Sequence, residues 1–225
     1  MAQRKTAFVV GEYYHLYNRG VDKRNIFSDE NDVSRFFQSM NEFNVLEPIG
    51  SIYENRFHQL GSSTPKSEKL VNFIAYCLNP NHYHFILEQV AEKGVEKFMH
   101  RLGTGHTNYF NTKQHRSGSL FQGRFKSIHI SNNEYLLHVS AYVNLNDHVH
   151  QLGSSTPKLV KSRSSWNEYV NIGKSGKNDI CNKSIILEQF NNKNEYKEFA
   201  LSSLESILER KEEMKEIEGL LLEME

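Results

Sequence analysis

Cysteine is nearly absent from this chain of 225 residues: there are 2, Cys77 and Cys181, alongside only 4 prolines and 1 tryptophan. Two cysteines build no disulfide framework, and Cys77 sits in the apolar run Phe73-Ile74-Ala75-Tyr76-Cys77-Leu78, where a reduced thiol acts as a small apolar group rather than a nucleophile. No apolar run is long enough to cross a bilayer, and Met1-Ala2-Gln3-Arg4-Lys5 opens no signal peptide, so the chain reads as cytosolic. Net charge is absent too, with 27 basic residues against 27 acidic ones. A neutral total argues against a nucleic-acid protein, but the neutrality is not local. No acidic residue lies between Glu96 and Glu134, a span that holds Lys97, Arg101, Lys113, Arg116, Arg124 and Lys126. From Glu205 to Glu225, by contrast, 8 glutamates face 3 basic residues. Tyr109, Phe110, Phe121 and Phe125 interleave the basic span, a composition suited to phosphate contact and base stacking.

What is present is a clear alternation of periods. Residues 13–18 read as a strand, stopped by Arg19-Gly20, and residues 32–46 as a helix with Val33, Phe36, Phe37, Met40 and Phe43 on one face. Strands over 71–78 and 82–89 are joined by an Asn-Pro-Asn turn. A helix over 95–110, a strand over 125–130 and a helix over 133–146 follow, the last with Asn133 as cap. Strand, helix, strand, strand, helix, strand is the order of a ferredoxin-like split βαβ fold, an α+β architecture with an antiparallel sheet and helices on one face. The other face is then open to hold a site. Beyond residue 190, apolar residues recur every three or four positions in a long amphipathic helix, a C-terminal helical tail that packs on the domain by default. The length suits a domain over 1–165, with polar loop insertions near 49–70 and 150–163, and a C-terminal extension over 166–225. One stretch, His58-Gln59-Leu60-Gly61-Ser62-Ser63-Thr64-Pro65-Lys66, recurs letter for letter at 150–158; it is too short for a structural repeat and reads as loop.

The chemistry concentrates in Asn79-Pro80-Asn81-His82-Tyr83-His84-Phe85. On a strand His82 and His84 point to one face, about 7 Å apart along the chain, and can close on one divalent ion. The helix over 133–146 offers Tyr142 and Asn146 one turn apart, the second able to lend an amide oxygen as third ligand. Mixed nitrogen and oxygen ligation suits Mn²⁺ or Mg²⁺ better than structural zinc. Tyr142 then stands beside the ion, whose field helps a phenol of pKa about 10 act as nucleophile. His15, which shares the sheet, is with Arg19, Arg116, Arg124 and Lys126 a candidate for contacting nucleic acid, the four basic residues through its phosphates. Two other readings fit the residues: a catalytically inactive module that binds hairpin nucleic acid on its sheet face, and a zinc hydrolase acting on a small substrate.

Tyr14-His15-Leu16-Tyr17-Asn18-Arg19-Gly20, Asn25-Ile26-Phe27, the run from Tyr76 to Phe85, Lys97-Phe98-Met99, Tyr109-Phe110-Asn111, the run from Gly118 to Ser127, and Ala141-Tyr142-Val143-Asn144-Leu145-Asn146 carry a resemblance in order along the chain. Together they resemble the REP-associated tyrosine transposases and their insertion-sequence relatives, the single-strand HUH transposases. The resemblance implies a metal-dependent endonuclease and strand transferase. Such an enzyme cuts single-stranded DNA beside a hairpin, as in palindromic repeat elements, and passes through a 5′-phosphotyrosine. By position it makes His82 and His84 the HUH ligands, Asn146 the residue completing the site and Tyr142 the nucleophile, with a homodimer as one arrangement. Where such relatives continue Asn-Pro-Val-Arg-Ala-Gly, this chain has Asn146-Asp147-His148-Val149-His150, and it carries Asn79 where Met is usual.

Overall fold

The computed structural model describes residues 7–50, 68–151, 160–171 and 179–222. In chain order the elements are β1 (Tyr13–Arg19), a 3-10 turn (Val21–Lys23), α1 (Glu30–Glu42), β2 (Val71–Asn79), β3 (His82–Gln89), α2 (Gly94–Lys113) and β4 (Lys126–Ile130). There follow α3 (Asn133–Asn144), α4 (Asn146–Gln151), β5 (Arg163–Ser164), α5 (Trp166–Val170), α6 (Ser184–Leu187) and α7 (Lys193–Leu222). The strands form one antiparallel sheet in the order β4-β1-β3-β2-β5. The split βαβ reading holds: β1 and β3 lie side by side at the centre, Tyr13 opposite Glu88 and Arg19 opposite His82.

Alternation along the strands builds two cores. Tyr14 and Leu16 of β1, Tyr83, Phe85 and Leu87 of β3, and Phe73, Tyr76 and Leu78 of β2 meet Val33, Phe36 and Met40 of α1 and Val95, Phe98 and Leu102 of α2. Phe73 and Tyr76 share that face because a register shift between Phe73 and Ala75 restarts the alternation. These are the helices expected on one face. The opposite face is roofed as well: Ala75, Cys77 and Ile86 pack under Leu136, Val139 and Val143 of α3, with Tyr169 of α5, Ile186 of α6 and Tyr196 and Ala200 of α7. Periodicity had marked α3 as a helix without saying which side of the sheet it would cover.

Local chemistry sets the ends of the helices. α1 starts at Glu30 because the Asp29 carboxylate accepts from Asp32 N at 3.0 Å. α2 runs unbroken through Gly103 and Gly105, and at Gly105 the missing side chain matters, since a Cβ there would stand 2.8 Å from Phe43 Cε2. α3 is capped by Asn132, not Asn133; its side chain accepts from Tyr135 N at 2.8 Å. The helix expected to run to residue 146 stops at Asn144, with Leu145 at φ −108° and ψ 14°, and Asn146 opens the separate helix α4. The first turns of α7 dock on the back of α3, where the buried Tyr196 hydroxyl accepts from Asn144 Nδ2 at 2.8 Å. The first copy of the repeated nine-residue stretch, and its second copy beyond Gln151, lie outside the described residues, as does most of each expected loop insertion. Among the described residues no helix is long and apolar enough to cross a membrane.

Candidate active site

Register places the site. His84 on β3 stands opposite Tyr17 of β1 on one side and Cys77 of β2 on the other, and His82 stands opposite Arg19 and Asn79. All of these therefore share the face under α3. Around His84 the rings close in: His15 is stacked at 5.2 Å, Tyr17 at 5.6 Å, and His82 is edge-on at 5.3 Å. α3 brings Tyr142 down from above, its ring 5.4 Å from His84 and 86° to it. Asn146 reaches the same cluster from the first residue of α4, its Oδ1 3.1 Å from His82 Nε2.

Hydrogen bonds fix which nitrogen of each imidazole faces the cluster. Asn81 Nδ2 donates to the Lys23 carbonyl at 3.2 Å, which turns Asn81 Oδ1 toward His82 Nδ1 at 2.6 Å. Nδ1 then carries the proton and Nε2 offers its lone pair toward Asn146. His84 Nδ1 is 2.9 Å from His15 Nε2, so it is Nδ1 of His84 that this contact engages. Burial lowers the His15 pKa to about 4, so at neutral pH His15 is an uncharged partner that can accept the His84 proton. A hydrogen bond to one ring nitrogen is the kind of contact that fixes the orientation of an imidazole whose other nitrogen meets a metal.

The donor set fits a small octahedral cation. Two cis ligands of such an ion at about 2.1 Å stand about 3.0 Å apart, and His82 Nε2 and Asn146 Oδ1 are 3.1 Å apart. Among the described residues no three His, Cys, Asp or Glu side chains group as a metal set. Beside the two imidazoles the cluster offers the amide oxygen of Asn146 as a further donor atom, 3.1 Å from His82 Nε2. Burial raises the Tyr142 pKa, with Cys77 and Tyr17 adding to the rise, and the nearby Asn146 amide pulls it back in part. Tyr142 alone is thus a weaker nucleophile than a free tyrosine, and activation requires positive charge beside it.

The other expected residues divide. Arg19 and Lys126 flank the cluster: Arg19 is exposed and its Nε donates to Gln122 Oε1, while the Lys126 ammonium lies 6.0 Å from the Tyr17 ring centroid. Arg116 lies away from the cluster and braces the turn after α2, donating to Asn111 Oδ1 at 2.8 Å and the Ser119 carbonyl at 3.0 Å. Arg124 lines a groove of about 520 Å³ with Asn18, Tyr83 and His100, on the α2 side of the sheet. The altered stretch after Asn146 still forms helix, with His148 Nδ1 3.1 Å from Asp147 Oδ1. Sequence reasoning missed Tyr17, Asn79, Asn81 and Ser162, the last reaching the cluster through its Oγ, which donates to Asn79 Oδ1 at 2.8 Å. Tyr17 was within reach, two residues beyond His15 on the same strand, whereas Ser162 carries no local signal.

A family model described as "Transposase IS200 like" matches residues 9–146, a span that includes every residue of this cluster except Ser162. No curated protein matches the chain. A solved structure described as a REP-associated tyrosine transposase bound to a REP hairpin is 14% identical, covering 76% of this chain and 86% of its own, with a TM-score of 0.41.

Proposed function

We start from membership, since the chain belongs to the IS200-like transposase family, and propose that it is a single-strand DNA endonuclease and strand transferase that cuts beside hairpin DNA. Residues 1–165 carry this activity and residues 166–225 are an extension whose first part roofs the site helix. The observation that carries the proposal is the Tyr142 ring set edge-on to His84, on the face that also holds His82 and Asn146.

His82, His84 and Asn146 would hold Mg²⁺ or Mn²⁺, which supplies Lewis-acid polarisation of a phosphate oxygen and a field favouring phenolate. Tyr142 Oη attacks phosphorus and forms the tyrosyl–phosphate bond while the bond from phosphorus to the 3′-oxygen breaks. The phenol proton is given up and the departing 3′-oxygen ends as a hydroxyl. The 5′ side remains on Tyr142 as a phosphotyrosine. Because the phosphodiester is exchanged rather than hydrolysed, a 3′-hydroxyl can reverse the step without a nucleotide cofactor. Arg19, Lys126 and His15 line the approach on this face, and Lys126 is placed to meet backbone phosphates.

The test is incubation of the protein with Mn²⁺ or Mg²⁺ and labelled single-stranded hairpin DNAs, read as a covalent adduct on denaturing gels. An adduct formed by the wild type and absent from Tyr142→Phe supports the proposal. Hairpin binding without an adduct across the pool replaces it with an inactive binding module.

A further inference from the structure

Asn79 closes β2 opposite His82 and is 1% exposed. Its Nδ2 lies 2.8 Å from Asn146 Oδ1 and 3.0 Å from His82 Nε2. With the His82 proton held on Nδ1 by Asn81, those two atoms are both acceptors, and they are only 3.1 Å apart. Two lone-pair atoms at that separation repel unless something positive stands between them, and the Asn79 amide hydrogens are that group. The orientation of the amide is itself set: Ser162 Oγ donates to Asn79 Oδ1 at 2.8 Å. Among the described residues Asn146 Nδ2 has no close hydrogen-bond partner beyond its influence on Tyr142, so the Asn79 bond to Oδ1 is a principal hold on the rotamer that turns Asn146 Oδ1 toward His82.

Resting on the reading of His82, His84 and Asn146 as ligands, we propose that Asn79 is the positioning residue of the same centre and its conditional fourth ligand. Its NH₂ group aims the lone pairs of His82 and Asn146 at one point, the point at which a divalent cation draws on both. An imidazole nitrogen has a single lone pair and cannot serve an amide hydrogen and a cation together, whereas a carbonyl oxygen has two. A cation taken up by His82 therefore displaces the Asn79 NH₂ from it. A half-turn of the amide then presents Oδ1 to the ion and Nδ2 to Ser162, whose hydroxyl accepts as readily as it donates. The resulting set, two imidazole nitrogens and two amide oxygens, suits Mg²⁺ or Mn²⁺.

The experiment needs no DNA and no turnover: Mn²⁺ is titrated into the full chain and the free ion followed by electron paramagnetic resonance. Asn79→Leu, near in size and unable to hydrogen-bond, is expected to weaken Mn²⁺ binding roughly 10- to 100-fold. Ser162→Ala is expected to weaken it by a smaller factor, about 3-fold, since only the hold on the amide is lost. Asn79→Asp, whose oxygens ligate without turning, is expected to bind at least as tightly as the wild type. Thermal melts by circular dichroism check each variant, and if Asn79→Leu does not fold, the Asp and Ala variants decide. Unchanged affinity in Asn79→Leu, or weakened binding in Asn79→Asp, overturns the role of Asn79. Retention of Mn²⁺ by His84→Ala, or no binding by the wild type, overturns instead the ligand set on which that role depends.

Discussion

The two faces of the sheet treat histidine differently although burial shifts it alike on both. On α2, His106 is buried, its pKa lowered to about 4, and its Nε2 donates to the Ile26 carbonyl at 2.8 Å among Phe27, Phe36 and Phe110. Under α3, His15 is shifted to about 4 by the same desolvation, yet its partner is another imidazole, His84. A carbonyl consumes the histidine as an anchor, while an imidazole passes the constraint on to an atom that faces the cluster. The pKa shift does not separate structure from chemistry here; the identity of the partner does.

The sharpest way to break this comparison is to alter one aromatic side chain on each face, removing a hydroxyl from one and a ring from the other. Tyr142→Phe is expected to abolish covalent adduct formation and DNA cleavage, a loss of at least about 10³-fold, while leaving the melting temperature within a few degrees of wild type. Phe85→Ala, on the same strand as His84 but pointing into the first core, is expected to cost about 3–5 kcal/mol in denaturant unfolding, since its side chain is fully buried. If Tyr142→Phe unfolds the protein, or Phe85→Ala leaves it stable and inactive, the division of labour between the faces is wrong.

A pH titration of stability probes the His106 side. Its folded pKa lies below that of the unfolded chain, so above about pH 6.5 both states are neutral and the contribution to stability is complete. As pH falls from 6.5 toward 4 the unfolded chain takes up a proton that the folded chain refuses, and stability is lost on the order of 3 kcal/mol. His106→Gln, whose amide can still donate to the Ile26 carbonyl, is expected to remove that share of the slope in urea unfolding at pH 7, 6, 5 and 4. His15 adds a share of the same sign, so a slope untouched by His106→Gln would exclude His106 as its source.

Legibility follows the same division. The first core was readable because Val33, Phe36 and Met40 on α1 and Leu16 or Phe85 on the strands repeat at the periods their elements impose. His82 and His84 were readable for the same reason, as alternate residues of one strand. Tyr142 and Asn146 both reach the cluster, but not from one helix face as expected: the helix ends at Asn144, and Asn146 is delivered by α4 after a break at Leu145. The smaller pieces of the second roof escaped notice because α5 has five residues and α6 four, too short to show a period. Nor could any local pattern give the meeting of Ser162 with Asn79, 83 positions apart in the chain.

The hold of α7 on the site face is tested by Asn144→Ala. Asn144 Nδ2 donates to the Tyr196 hydroxyl at 2.8 Å and its Oδ1 accepts from Ser165 Oγ, both buried. Truncation leaves the Ser165 hydroxyl without this partner and removes one donor from Tyr196, at an expected cost of about 1–3 kcal/mol. Faster amide exchange in α7 and α3 with unchanged exchange in α1 would localise the damage to the second face. Equal acceleration in α1 would show that the two cores open as one unit.

The smallest effect is the most direct measure of which face meets DNA. Lys126 lies opposite Tyr17 on β4 with its ammonium exposed beside the cluster, while Arg124, two residues earlier, lines the groove on the α2 side. A lysine that contacts one phosphate releases about one counterion, so Lys126→Ala is expected to weaken hairpin DNA binding roughly 3- to 10-fold and to lower the salt slope by about 1. Arg124→Ala is expected to leave that slope unchanged if the strand runs only over the site face. Fluorescence anisotropy between 50 and about 200 mM salt resolves a slope change of this size. Equal slope losses in both variants would mean that DNA wraps the β4 edge and reaches the groove. The α2 face would then be a second contact surface and not merely the core that supports the first.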